Sequence, residues 1–215
     1  MPRRIDTDAR KAQLARAVWQ VILDRGIGAV SVRTVADEAS VAVGSLRHVF
    51  PTRAELLEFS GALMVQRARD RIRQLQPAED PQQYALEVIR QLLPLTPDSR
   101  AELEVNIALI AETPALPELA GILDDAYHQL GEACHAVVGL LTHRPRGPWT
   151  ERQVRRLHAI IDGLAIHLLM ADPADGDGWA IDIVRDELDA LARVGADPET
   201  GDAGTMDRAP SDPGD

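Results

Sequence analysis

Apolar residues recur at three- and four-residue spacing along nearly the whole chain, while stretches of strict alternation are almost absent. That pattern predicts an all-α protein, because each helix carries one apolar stripe that must be buried against other helices. Aromatic residues make up only 3% of the 215 residues, so the core has to be built from Leu, Ile, Val and Ala. The single cysteine, Cys134, excludes an internal disulfide framework and any Cys-based zinc module; its apolar helical surroundings make it a small core residue. Charges run through residues 1–20 and no apolar run of span length follows, so neither a secretory leader nor a membrane span is expected. The chain reads as cytoplasmic.

Helix punctuation divides this pattern. A first helix is expected over about 8–25, with Leu14, Ala17, Val18, Val21 and Ile22 on one face and Gly26 as its stop. Ser31 is a good N-cap for a short helix ending near Ala39. Residues 40–43 then lead into another short helix reaching Val49, closed by Pro51. Thr52 with Glu55 predicts a capping box that opens a long helix to about Gln74. Further helices are expected at 82–93, 98–112, 117–141, 151–170 and 179–193, with Thr150 and Gln153 as a second capping box. The acidic, Gly-rich stretch 196–215 has little to bury and is expected to be disordered.

Charge is divided as sharply as structure. Residues 1–75 carry a balance of +5 and residues 76–215 a balance of −16, which together give the net −11. Screening confines each field to about 8 Å at physiological salt, so the acidic remainder does not prevent the basic third from binding phosphates.

The most informative segment is SVRTVADEASVAVGSLRHVF, residues 31–50. Two short helices joined by a tight turn bury only small faces, here Val35, Ala36, Ala39, Val41, Leu46 and Phe50, and need the first helix as support. The second short helix offers Val43, Ser45, Arg47 and His48, small side chains and donors that suit a major groove about 12 Å wide. Periodicity alone leaves a plain helical hairpin as an equal reading.

Residues 10–57 resemble the N-terminal domain of the TetR family of transcriptional regulators. Gly26, Ser31, Val32, Val35, Ala36, Ala39, Val41, Gly44, Leu46, Phe50, Leu56 and Leu57 stand, in order and correctly spaced, where that family's pattern places them. Five positions depart from it: Ser40 stands for the usual turn Gly, Ala42 for a Ser cap, Arg47 for Tyr, Val49 for His and Arg53 for Lys. The resemblance implies a three-helix helix-turn-helix DNA-binding domain over 1–52, a connecting helix over 53–75 and a larger ligand-binding and dimerisation domain over 76–195. It assigns Ser31, Arg47, His48, Arg53 and Thr52 to phosphates, and Arg33, Val43, Gly44 and Ser45 to base readout, with Arg33 able to pair with guanine. Arg3 and Arg4, on a loose N-terminal arm, would reach DNA as well.

The second domain resembles the family in layout, and Asp162-Gly163-Leu164 in a late apolar helix resembles the subgroup of the choline-responsive repressor BetI. Polar residues in apolar helical stretches are the candidate ligand contacts: Glu102, Asn106, His128, His158 and Asp162, with His135 and His167 beside them. His128, Glu132 and His135 share a helix face at metal-ligand spacing, but a solvated face explains the spacing more simply, and neither a metal nor a cofactor is expected. His158 and Asp162 are equally well an internal hydrogen-bonded pair. Stripes of Val154, Leu157, Ile161, Leu164 and Leu168, and of Ile181, Val184, Leu188 and Leu191, are expected to form a four-helix interface between two copies.

The resulting expectation is a ligand-responsive regulator, usually a repressor in this family, that binds a palindromic double-stranded operator as a homodimer and is released by a small-molecule effector. The alternative is an all-α enzyme or scaffold whose N-terminal hairpin is only structural; no phosphate loop, nucleophile elbow or cysteine constellation supports catalysis.

Overall fold

The computed structural model describes residues 3–196, and among these nine α-helices follow one another without a strand. The first, α1 (Arg3–Arg25), starts earlier than expected, so the backbone of Arg3 and Arg4 lies in helix rather than in a loose arm. Gly26 ends it at φ 78, where its N–H still reaches Ile22 O at 2.8 Å. A single 3-10 turn, Ile27–Ala29, leads to α2 (Val32–Glu38). Here Ser31 and Thr34 cap reciprocally, each side-chain oxygen accepting the other's backbone N–H. Ser40 turns the chain towards α3 (Val43–Val49) at φ 55, the left-handed region in which a side chain costs about 1 kcal/mol and glycine nothing. Ala42 caps α3 with no side-chain bond.

The 21-residue α4 (Arg53–Arg73) is capped by Thr52, whose Oγ1 accepts from Glu55 N at 3.2 Å. The return half of the expected box is replaced by a side-chain pair, Thr52 Oγ1 donating to Glu55 Oε1 at 3.1 Å. Next come α5 (Pro81–Arg90) and α6 (Pro97–Glu112), the latter opened by a reciprocal Thr96–Ser99 box. α5 stops three residues short of its expected end because the chain turns to bury Leu93 and Pro94. A 3-10 turn, Pro117–Leu119, precedes α7 (Ala120–Thr142). α8 (Pro148–Met170) starts before Thr150, which was expected to cap it. Pro148 needs no N–H partner at the first helical position, and Thr150 Oγ1 instead donates to Pro145 O at 2.8 Å, pinning the linker. The last helix is α9 (Gly178–Ala196); the tail expected to be disordered lies, from residue 197 on, outside the described residues.

Two cores result. One joins α1 to α4 with Val105 and Leu109 of α6 and with Leu119; the other joins α5, α7, α8 and α9. α6 therefore belongs to both halves, since its Leu103 packs on the second core. Contact between the halves is close: a Cβ added at Gly61 of α4 would meet Ile122 at 3.1 Å and Leu109 at 3.2 Å. Trp19 Nε1 of α1 donates to Ser60 O of α4 at 3.1 Å.

The apolar stripes assigned to an interface between copies point the other way. Val154, Leu157, Ile161, Leu164, Leu168, Ile181, Val184, Leu188 and Leu191 are all buried in the chain's own second core, where α5 and α7 cover them. The outward faces of α8 and α9 instead expose Ile166, Met170, Trp179 and Ile183.

Candidate nucleic-acid interface and ligand cavity

The helix-turn-helix element is set by its inward residues. Val35, Ala36, Leu46 and Phe50 are buried with Val18, Val21 and Ile22 of α1, which fixes which sides of α2 and α3 face water. Arg33 on α2, then Gly44, Ser45, Arg47 and His48 on α3 and Thr52 after it, are exposed, while Val43 is half-buried. Ser31 is half-buried and its hydroxyl is occupied as a helix cap, 3.0 Å from Thr34 Oγ1, so its first task is to hold α2.

Arg53 does not fit the phosphate role expected of it. Its Nε donates to Val30 O at 3.0 Å and its Nη2 to Ile27 O at 2.9 Å, and its Nη1 pairs with Glu112 at 2.8 Å. The guanidinium thus ties the turn after α1 to the start of α4 and the end of α6. Among the described residues Val30 O has no backbone donor, and Ile27 O has only the Val30 N–H of the 3-10 turn at 3.1 Å, which explains why a forked donor sits there.

The ligand candidates divide. Glu102 and Asn106 of α6 line a cavity of about 160 Å³ walled by α4, α6, α7 and the α5–α6 turn. Met64, Val65, Ile72, Leu92, Leu103 and Leu130 give it a mainly apolar surface. Glu102 is 5% exposed, and Arg71 grips both its oxygens, at 3.0 Å and 2.8 Å, with Arg67 Nε 3.3 Å away. Arg71 also donates to Gln91 O at 3.2 Å, and Arg67 pairs with Asp98 at 2.7 Å. Asn106 Oδ1 is buried in the wall without a hydrogen-bond partner. Arg69 and Gln129 line the cavity too; sequence reasoning missed these and Arg71, although the Arg67/Arg71 spacing on one helix face was a usable signal.

The other three candidates lie elsewhere, because α7 and α8 turn them away from the cavity. His128 is exposed on α7, edge-on to Tyr127. His158 is buried, its ring 4.6 Å from that of Tyr127 and its Nε2 3.6 Å from Asp162 Oδ2 one turn along α8. Partial burial pushes the Asp162 carboxyl up from its ordinary value, with His158 pulling it down. Of the residues at metal-ligand spacing, Glu132 pairs with Arg146 at 2.5 Å and His135 with Glu151 at 3.1 Å, so they do not converge with His128. Cys134 is buried, and burial first, then the charge of Asp162, pushes its thiol up to about 12, far from a reactive thiolate.

Two family models match this chain. Residues 14–58 match that of bacterial regulatory proteins of the TetR family, and residues 81–193 that of the BetI-type transcriptional repressor C-terminal domain. The HTH-type transcriptional regulator PksA of Bacillus subtilis strain 168 is 30% identical over 177 residues, covering 80% of this chain and 84% of that relative. Among solved structures, a transcriptional regulator from Rhodococcus sp. Rha1 superposes with a TM-score of 0.73 at 24% identity, covering 85% of this chain and 96% of its own. A regulator from Saccharomonospora viridis in complex with choline gives a TM-score of 0.69 at 21% identity, covering 86% of this chain and 96% of its own. An enzyme with a merely structural hairpin is not favoured by these matches.

Proposed function

Because this chain belongs to the TetR family of transcriptional regulators, with a second domain of the BetI type, we propose that it is a cytoplasmic repressor: it binds a palindromic operator as a homodimer and is released when a small molecule enters the α4–α6–α7 cavity. One observation carries this reading. α4 begins at the helix-turn-helix, where Thr52 and Arg53 fasten it, and ends as a wall of the cavity through Met64, Val65, Arg69 and Arg71. α6 repeats the connection, since Glu102 and Asn106 line the cavity while Glu112 holds Arg53. A ligand that fits better with these helices in one arrangement shifts the population towards it, and with it the separation of the two recognition helices. Two copies must present α3 to successive major grooves about 34–36 Å apart, so a small rotation of α4 is enough to weaken the operator complex.

Arg33, Val43, Gly44 and Ser45 are the base readers in this proposal, and Arg47, His48 and Thr52 the phosphate contacts. The second copy docks on the outward faces of α8 and α9, where Ile166, Met170, Trp179 and Ile183 are exposed and where the small residues Ala159 and Gly163, at helical spacing with Ile166 and Met170, let helices approach closely. Selection of bound duplexes from a genomic pool tests the reading. Enrichment of an inverted repeat by a dimeric protein is expected; a monomer without sequence preference would refute it.

A further inference from the structure

We propose that the α4–α6–α7 cavity takes a small organic anion, of about the size of one substituted ring and carrying a hydroxyl, and discriminates against cations. The proposal rests on the reading of this cavity as the effector site and adds the chemistry of the effector.

Charge carries the first step. Glu102 is the acid of the wall, and Arg71 with Arg67 already occupies both of its oxygens. A cation entering the cavity would meet no free carboxylate and would have to displace a guanidinium that also holds Gln91 O. Quaternary ammonium groups are otherwise held by the faces of aromatic rings, and among the described residues no aromatic side chain lines this cavity. Arg69, by contrast, lines it with its guanidinium unpaired among the described residues. A forked donor without a partner beside an apolar surface is suited to a carboxylate whose body is apolar.

The second step is the body and its one polar demand. A cavity of about 160 Å³ is of the order of the roughly 150 Å³ cavity that accepts benzene, which sets the scale at one ring with short substituents. Asn106 Oδ1 is buried and unmet, and a buried acceptor left unpaired is costly. A turn of the Asn106 side chain towards the cavity brings this acceptor within reach of a ligand hydroxyl, which removes that cost, whereas an all-apolar ligand leaves it in place.

Calorimetric titration of the full-length protein with para-hydroxybenzoate, its neutral isostere para-hydroxybenzamide, the cation para-hydroxybenzylamine, and benzoate tests this. Expected is saturable binding of para-hydroxybenzoate, at least tenfold tighter than the amine and about tenfold tighter than benzoate. Arg69→Gln, an exposed position whose replacement leaves the fold intact, should lower para-hydroxybenzoate affinity about fivefold and leave the amide unchanged. Asn106→Leu should bring benzoate level with para-hydroxybenzoate. The amine binding as tightly as the acid, or none of the four binding, would overturn the proposal. Salt-sensitive retention of DNA by the same preparation separates the two claims: its loss would sink the regulator reading, while amine preference with DNA binding intact sinks only the ligand class.

Discussion

The two cores of this molecule solve different packing problems. The N-terminal core holds α2 and α3, seven residues each, against the 23-residue α1, whereas the second core packs α5, α7, α8 and α9, of 10 to 23 residues. A seven-residue helix satisfies few of its own hydrogen bonds, so its existence depends on caps and turns that specific side chains must supply. Ser31 and Thr34, the left-handed Ser40, Thr52 and the carbonyl-binding Arg53 are those side chains. Long helices need little such help, and their stability rests on which face is buried. Polar fastening in the first half and apolar burial in the second should therefore respond differently to substitution.

The largest expected contrast lies within the second core. Leu188→Asp puts an unpaired charge at a site 2% exposed and should cost at least about 3 kcal/mol, enough to unfold that half. Ile183→Asp, on the same helix at 43% exposure, should change the melting of the isolated chain by no more than about 0.5 kcal/mol while weakening the proposed dimer. Thermal melts paired with sedimentation read both; equal losses of stability would erase the distinction between the inward and outward faces of α9.

Two arginines sharpen the comparison in the first half. Arg53→Ala should destabilise the protein by about 2 kcal/mol, because it leaves Val30 O and Glu112 without their donor and Ile27 O with the Val30 N–H alone. Arg47→Ala, at an exposed position, should leave melting within about 0.5 kcal/mol and lower the salt slope of DNA binding by about one unit, as for one lost phosphate contact. Denaturant titrations and salt-dependent binding curves separate them, and a stable Arg53→Ala protein with a reduced slope would return Arg53 to the phosphates.

A smaller gain is expected at the turn. Ser40→Gly relieves the left-handed backbone and should stabilise by about 0.5–1 kcal/mol, seen as a higher melting temperature. No change, or a loss, would mean that the serine is held there without strain.

How far the sequence could be read follows the same division. The caps at Ser31 and Thr52, the stop at Gly26 and the order of helices were legible because each rests on chemistry within a few residues. The direction of the late helices was not. Both sides of α8 carry apolar residues, Leu157 and Leu164 on one, Ile166 and Met170 on the other, so periodicity finds the stripes without telling which one meets a partner. Arg53 was misread for a similar reason: its acceptors, Ile27 O, Val30 O and Glu112, lie 23 to 59 residues away. Glu102 and Asn106 were picked out as polar residues in an apolar helix and do line the cavity, while His128, His158 and Asp162, chosen on the same ground, lie on faces that α7 and α8 turn elsewhere.

The central claim, that the exposed side of α2 and α3 reads DNA, is tested most directly by a salt series of binding to the inverted repeat recovered from a genomic pool, for wild type and Arg33→Ala. The account predicts a steep fall of wild-type affinity with log salt, and for Arg33→Ala a loss of about 1–3 kcal/mol on the repeat with little on random duplex. A flat wild-type salt series with no recovered repeat would contradict it.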